Sequence, residues 1–281
     1  MAADDAAAAV TFAHLTDTGR VRARNEDALG AFEPDDPSLL RRRGRLFVVA
    51  DGMGGHARGD VASRLAVDVV RAAYYHDDGL PDDLARALGL SVERANEVLY
   101  DENGGSADNP RMGTTLTALA IRDHEAFVAH VGDSRAYLIR GRAIHRLTED
   151  HSLVSELVKN GLLTAMEAEH HPSAHVIVRA VGLERALPVE LYGPLPLFDG
   201  DTLVLCTDGL SRLVGPAEIR RVAGGRVPRR ACERLVSLAN RRGGPDNITL
   251  QVIRIGHGHD PVAGVAHAIG SLVGAVRRWR S

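Results

Sequence analysis

Four aspartates stand where an apolar stretch gives way to a turn. Asp51 follows "LFVVA" and opens "DGMGGHARG"; Asp133 lies in "AHVGDSR"; Asp208 closes "TLVLCTD" before a glycine; Asp246 precedes the apolar run of "PDNITL". Any one of them reads as a turn or capping residue, because Asp bonds nearby backbone and Asp-Gly suits a tight corner. Taken together they suggest chemistry. Strand ends are where side chains from distant segments meet, and hard divalent cations take oxygen ligands. Lys159 is the only lysine in the chain, so none lies near these acids, and clustered carboxylates repel unless a cation sits between them. The stretch "TGRVRARNEDALG" (18–30) adds Glu26 and Asp27 as further ligands or outer acceptors. Arg22 in the same stretch is a candidate phosphate fork, its planar guanidinium matching two phosphate oxygens. Arg22 and Arg24 also suit a solvated strand edge.

The remaining thiols and imidazoles are weaker candidates. Cys206, five residues and Arg212 in "CTDGLSR" reproduce a cysteine-phosphatase spacing. Asp208 inside that loop would repel phosphate, and a thiol in an apolar strand is ordinarily inert, so this reading is set aside. The pair His170-His171 and the later "GHGHD" are read as surface histidines rather than metal sites.

Size and charge exclude several classes. With 281 residues, 44% hydrophobic and 25% charged, the chain has the composition of a folded globular protein with a sizeable core. A net charge of -3 gives no overall attraction to nucleic acid or an anionic membrane. Two cysteines outside any Cys-x-x-Cys pair argue against a disulfide framework or structural zinc and suit a reducing cytoplasm. Residues 1–9 carry acids where a secretory signal has bases and read as a disordered lead-in. Residues 256–281, ending in Arg277, Arg278 and Arg280, read as a surface helix, the apolar run being shorter than the ~20 residues of a membrane span.

The acids need elements to position them. Residues 10–17, 27–32 and 45–51 read as strands, with a loop between the second and third around "EPDDP" and "RRRGR". Helices are expected over 60–75, with Val61, Leu65, Val69 and Ala73 on one side, and over 81–100, with Leu84, Leu88, Val92 and Leu99. Strands at 114–121, 125–132, 135–141 and 143–147 are spaced as an antiparallel meander. Residues 151–171 read as two short helices broken at Asn160-Gly161, followed by a strand at 202–208, helices at 216–223 and 228–242, and a last strand at 247–255. Strand runs joined by hairpin-length links and interleaved with helix pairs favour an α+β layered fold, one domain over 10–255.

In order along the chain, "RARNED", "DGMGGHARG", "GTTLTAL", "HVGDSRAYL", "LTEDHSLV", "LCTDGL" and "PDNIT" resemble the metal-dependent protein phosphatases of type 2C, in their bacterial serine/threonine branch. The resemblance implies a four-layer sandwich of two antiparallel β-sheets flanked by helices, with a Mn²⁺ or Mg²⁺ pair at one end. By the same resemblance Asp51 bridges the metals and the Gly52 carbonyl binds one of them. Asp208 and Asp246 bind the other, and Asp133 belongs to a third, weaker site. Glu26 and Asp27 hold metal-bound water and Arg22 grips the substrate phosphate. The implied reaction is hydrolysis of phosphoserine and phosphothreonine on proteins by a metal-bridging water, opposing a bacterial serine/threonine kinase. Met53 stands where eukaryotic members carry histidine, which leaves His56 or water as general acid. Residues 151–175 match the flap beside the site. Two alternatives stand beside this reading: a phosphatase-like binding module without catalysis, and a phosphatase acting on a sigma-factor regulator.

Overall fold

The computed structural model describes residues 9–54, 58–104, 111–169 and 171–256. His56, residues 1–8 of the lead-in and residues 257–281 of the tail lie outside them. In chain order the first elements are β1 (Val10–Asp17), β2 (Asp27–Phe32), α1 (Pro37–Arg43), β3 (Arg45–Met53), α2 (Gly59–His76) and α3 (Leu84–Glu102). Five strands follow: β4 (Gly113–Thr114), β5 (Leu116–Arg122), β6 (Glu125–Val131), β7 (Arg135–Arg140) and β8 (Ala143–Arg146). The expected meander is instead two hairpins, β5-β6 in one sheet and β7-β8 in the other, because the chain changes sheets at the Gly132 turn. Then come α4 (Leu153–Lys159), α5 (Ala165–Glu169), β9 (Glu190–Pro196), β10 (Thr202–Cys206), α6 (Asp208–Ser211), α7 (Pro216–Ala223), α8 (Pro228–Arg241) and β11 (Ile248–Ile255).

The strands form two sheets, one in the order β1-β11-β10-β7-β8 and the other β2-β3-β5-β6-β9 with β4 added beside β3. Every pairing is antiparallel. The two-residue side-chain period of a strand sorts the apolar residues into three cores. Leu46, Val48 and Ala50 of β3 pack with Ala62, Val70, Leu88 and Val92 of α2 and α3. Phe47 and Val49 point the other way, meeting Leu138, Leu203, Leu205 and Ile253 between the sheets. Val204 and Cys206 of β10 in turn face Ile219, Leu235 and Val236 of α7 and α8. Helices, sheet, sheet and helices therefore stack as four layers, the α+β sandwich expected.

Several local expectations are corrected. The acidic and basic run between β2 and β3 is a helix, not a loop: Asp36 accepts the Ser38 amide at 2.8 Å and Pro37 occupies the first turn, a local capping signal. The buried stripe of α2 is Ala62, Ala66, Val70 and Ala73, while Val61 is 48% exposed; small alanines let the helix lie close on the sheet. β3 runs on to Met53 because Gly52 and Met53 pair with β4. β10 stops at Cys206, so Asp208 opens the short helix α6 rather than closing a strand. The break at Asn160-Gly161 is as expected, Asn160 capping α4 and Gly161 at φ 71°. No helix among the described residues is long and apolar enough to cross a membrane.

Candidate active site

The core between the sheets is apolar at one end and turns polar at the other. On the inward face of β2, Ala31 and Leu29 are followed by Asp27; on β3, Phe47 and Val49 are followed by Asp51. The same alternation takes β10 from Leu203 and Leu205 to Thr207, β6 from Ala126 and Val128 to His130, and β11 from Ile253 back to Gln251 and Thr249. Asp27 and Asp51 are direct cross-strand partners, a pairing that like charges oppose.

Asp51 is held through its backbone. Its amide donates to Thr115 Oγ1 at 3.0 Å, and its carbonyl accepts from the Thr115 amide and from Thr114 Oγ1, each at 2.9 Å. Burial pushes its carboxyl well above the usual range, reinforced by Asp27, Asp208 and Asp133. Asp27 accepts from Thr207 Oγ1 at 3.0 Å; burial raises it to about 7 despite hydroxyl bonds from Thr249 and Thr207. Asp133, 5% exposed, sits on the turn between β6 and β7. Gly132 makes that turn at φ 107°, where an added Cβ would lie 2.5 Å from Thr115 Cβ. Burial lifts Asp133 to about 7, with Asp208 adding to the rise and Arg212 opposing it.

Two arginines pair with the acids. Arg212 Nη2 lies 2.8 Å from Asp208 Oδ2 and 3.1 Å from Asp133 Oδ2. Arg22 Nη2 donates to Asp246 Oδ2 at 2.9 Å, and Asp51 and Glu26 also raise its pKa. Glu26 lies against the start of α2: a Cβ on Gly59 would stand 2.9 Å from its carboxyl carbon. Gly52 is required for a related reason, since a Cβ there would fall 2.0 Å from the Gly59 carbonyl oxygen and 2.5 Å from that of Glu26. Arg22, Glu26, Asp27, Asp51, Gly52, Asp133, Asp208 and Asp246 thus come together at one end of the sheets. His56 lies outside the described residues.

Three groups of residues complete the site without having been singled out from the sequence. Asn247 accepts the Glu26 amide at 2.8 Å and donates to the carbonyls of Thr18 and Arg24, both at 2.9 Å, tying down the Arg22 segment. Thr207 and Thr249 surround Asp27. Arg212, considered only as partner to Cys206, bridges two acids instead; its position four residues after Asp208 in a helix was the available signal. Cys206 is fully buried, and burial pushes its thiol up to about 12, which removes the thiolate that a cysteine phosphatase needs.

Among the described residues, no three acids or imidazoles are already drawn to a single point with metal-ligand spacing; Arg22 and Arg212 hold the outer carboxylates. The donor set nevertheless fits a hard divalent cation. It is all oxygen, and Oδ1 of Asp27, Asp133 and Asp208 is in each case buried without a hydrogen-bond partner, a cost that a cation removes.

A family model described as Protein phosphatase 2C matches residues 20–241. The serine/threonine phosphatase stp of Listeria monocytogenes is 37% identical over 243 residues, spanning 85% of this chain and 93% of the relative. The crystal structure of the Mycobacterium tuberculosis serine/threonine phosphatase PstP/Ppp matches with a TM-score of 0.76 at 35% identity, over 88% of this chain and 99% of that one. The catalytic domain of the protein phosphatase PstP, solved in complex with two manganese ions, matches with a TM-score of 0.73 at 34% identity, over 88% of this chain and 99% of that domain.

Proposed function

The chain belongs to the protein phosphatase 2C family, and from that premise we propose that its carboxylate cluster is the metal centre of a protein serine/threonine phosphatase. The observation that carries the assignment is the set of buried, unpartnered oxygens of Asp27, Asp133 and Asp208 around Asp51. Asp51, the Gly52 carbonyl, Asp208 and Asp246 are the proposed ligands of two Mn²⁺ or Mg²⁺ ions. Asp133 serves a third ion, and Glu26 and Asp27 act as outer acceptors. Bound divalent ions supply an activated water and charge stabilisation for phosphoryl transfer.

The chain's own groups do the positioning. Arg22 is half exposed, its side chain 52% accessible, so its guanidinium can leave Asp246 and turn to the phosphate oxygens of a substrate at the rim. Arg212 bridges Asp133 and Asp208 and shares their negative charge. Asn247 fixes the segment that carries Arg22 and Glu26. Proton delivery to the leaving serine or threonine oxygen is assigned to His56 or to water. The substrates are phosphoproteins, in opposition to a serine/threonine kinase in the cytoplasm. The catalytic unit is one domain over 10–255, with 151–175 as its flap.

The test is hydrolysis of a phosphothreonine peptide by the purified protein with Mn²⁺, with excess chelator, and by Asp208→Ala. Turnover that needs metal and is lost in the variant supports the assignment. A folded protein that shows no turnover with any divalent ion would instead be a binding module.

A further inference from the structure

A cavity of about 170 Å³ lies between Met53 of β3 and residues 177–188, its wall formed chiefly by Ile177, Val178, Leu183, Leu187 and Pro188, with Arg179 and Glu184 also lining it. Its position follows from β3. Asp51 and Met53 are two residues apart on a strand, so their side chains share a face, about 7 Å apart along the chain. That spacing equals two residues of an extended peptide. A phosphorylated side chain delivered to Asp51 therefore brings a neighbouring side chain of its own chain over the cavity.

The cavity is built rather than incidental. Its far wall, residues 182–185, is pinned from behind by buried asparagines: Asn96 accepts the Gly182 amide at 2.7 Å and donates to the Glu184 carbonyl at 2.9 Å, and Asn103 donates to the Gly182 carbonyl at 2.9 Å. Val181 bridges to Thr114, whose hydroxyl donates to the Asp51 carbonyl. Arg179 borders the opening, but its guanidinium is engaged by His151 Nε2 at 3.1 Å, the Pro188 carbonyl at 3.4 Å and Glu190 at 3.8 Å. Glu184 is the other charged residue of the lining, and the remainder is aliphatic, with Val178 40% exposed.

We propose that this cavity is a specificity subsite that takes an aliphatic side chain within two residues of the phosphorylated serine or threonine, so that the enzyme prefers phosphoproteins with Leu, Ile or Met there. The inference rests on the phosphatase reading above and names part of its substrate class.

The test uses the full chain with saturating Mn²⁺. p-Nitrophenyl phosphate, which has no neighbouring residue, reports the metal centre alone. A phosphothreonine peptide with alanine flanks is compared with peptides carrying leucine, lysine or glutamate at each of the two positions on either side. At one position leucine is expected to raise kcat/KM about tenfold over alanine, the scale on which apolar pockets discriminate a few methylenes, while lysine and glutamate give no gain. In Val178→Glu the leucine-to-alanine ratio falls to within about twofold; because both peptides are measured on one enzyme, a general loss of activity cannot mimic this. Val227→Glu, an exposed position outside the cavity, keeps the wild-type ratio. Metal-dependent turnover with no leucine preference at any position, or a preference that survives Val178→Glu, overturns the subsite and leaves the phosphatase reading intact. No turnover of any phosphorylated compound with any divalent ion overturns both.

Discussion

Asp133→Asn should make the metal-free protein more stable, and increasingly so as pH rises. Asp133 is buried and its folded pKa is about 7 against an ordinary 3.8. A carboxyl whose folded pKa lies above its unfolded value stabilises the fold fully only below the unfolded value, and that contribution drains away as pH rises through the folded one. Below about pH 4 Asp133 is protonated in both the fold and the unfolded chain; asparagine copies the neutral acid in shape and still accepts from Arg212, so variant and wild type should melt together there and differ by only about 1.5 kcal/mol at about pH 5. Between about pH 5 and pH 7 the wild type loses about 1.4 kcal/mol per pH unit at this site, or about 3 kcal/mol in all. For a domain of this size that widens the gap by about 6–12 °C in Tm between about pH 5 and about pH 8. The comparison between two proteins cancels titrations that Asp133 does not influence, including that of His130, which burial lowers to about 3 and which acts in the opposite direction; relief of Asp51 in the variant adds to the expected gain. The assay is thermal melting in chelator from about pH 5 to about pH 8, repeated in excess Mn²⁺. There the gap should shrink or reverse, because the wild type gains more from binding. Parallel melts at every pH in chelator would refute the claim that burial of this charge costs the fold anything.

Three further outcomes follow from the same geometry. Arg22→Ala should raise KM for a phosphopeptide about tenfold to a hundredfold with a smaller change in kcat, the value of a charge-assisted phosphate contact; an unchanged KM in steady-state assays would place the phosphate elsewhere. Native treatment with iodoacetamide should leave metal-dependent activity intact, since the Cys206 thiol is buried and pushed up to about 12, and inactivation traced by mass spectrometry to Cys206 would revive a thiol mechanism. Asn247→Ala removes three hydrogen bonds to the 18–26 segment and should cost about 2–4 kcal/mol in urea unfolding; a loss below about 0.5 kcal/mol would mean that segment is not held by this side chain.

The four aspartates were legible in the sequence because each stands at the end of an apolar run; any one of them suits a turn, but four at strand ends in one chain point to a shared purpose. The layers were legible from the same runs, as strand alternation shows directly in "RLFVVA" and "TLVLC". What escaped notice has two causes. Some signals were local but outvoted: Asp36-Pro37-Ser38 is a helix start, yet the charge around it read as loop, and the alanine stripe of α2 is too weakly apolar to compete with Val61 and Leu65. Others were non-local. Asn247 reaches partners 221 to 229 residues away, and no periodicity within one segment can reveal a bond across that separation.

Charge balance shows why fold and site cannot be read separately. Asp27 and Asp51 face each other across a ladder, and Asp133 and Asp208 lie close enough to raise Asp51. Each of these placements is unfavourable on its own and is imposed by strands whose other residues fill three apolar cores. Hydroxyls from Thr207 and Thr249 and the guanidinium of Arg212 relieve part of the repulsion, yet one oxygen each of Asp27, Asp133 and Asp208 remains without a partner. A sequence selected for stability alone would not retain such a set, since replacing one acid by its amide is expected to strengthen the metal-free fold. The retained cost is the physical argument that the cluster exists to bind cations.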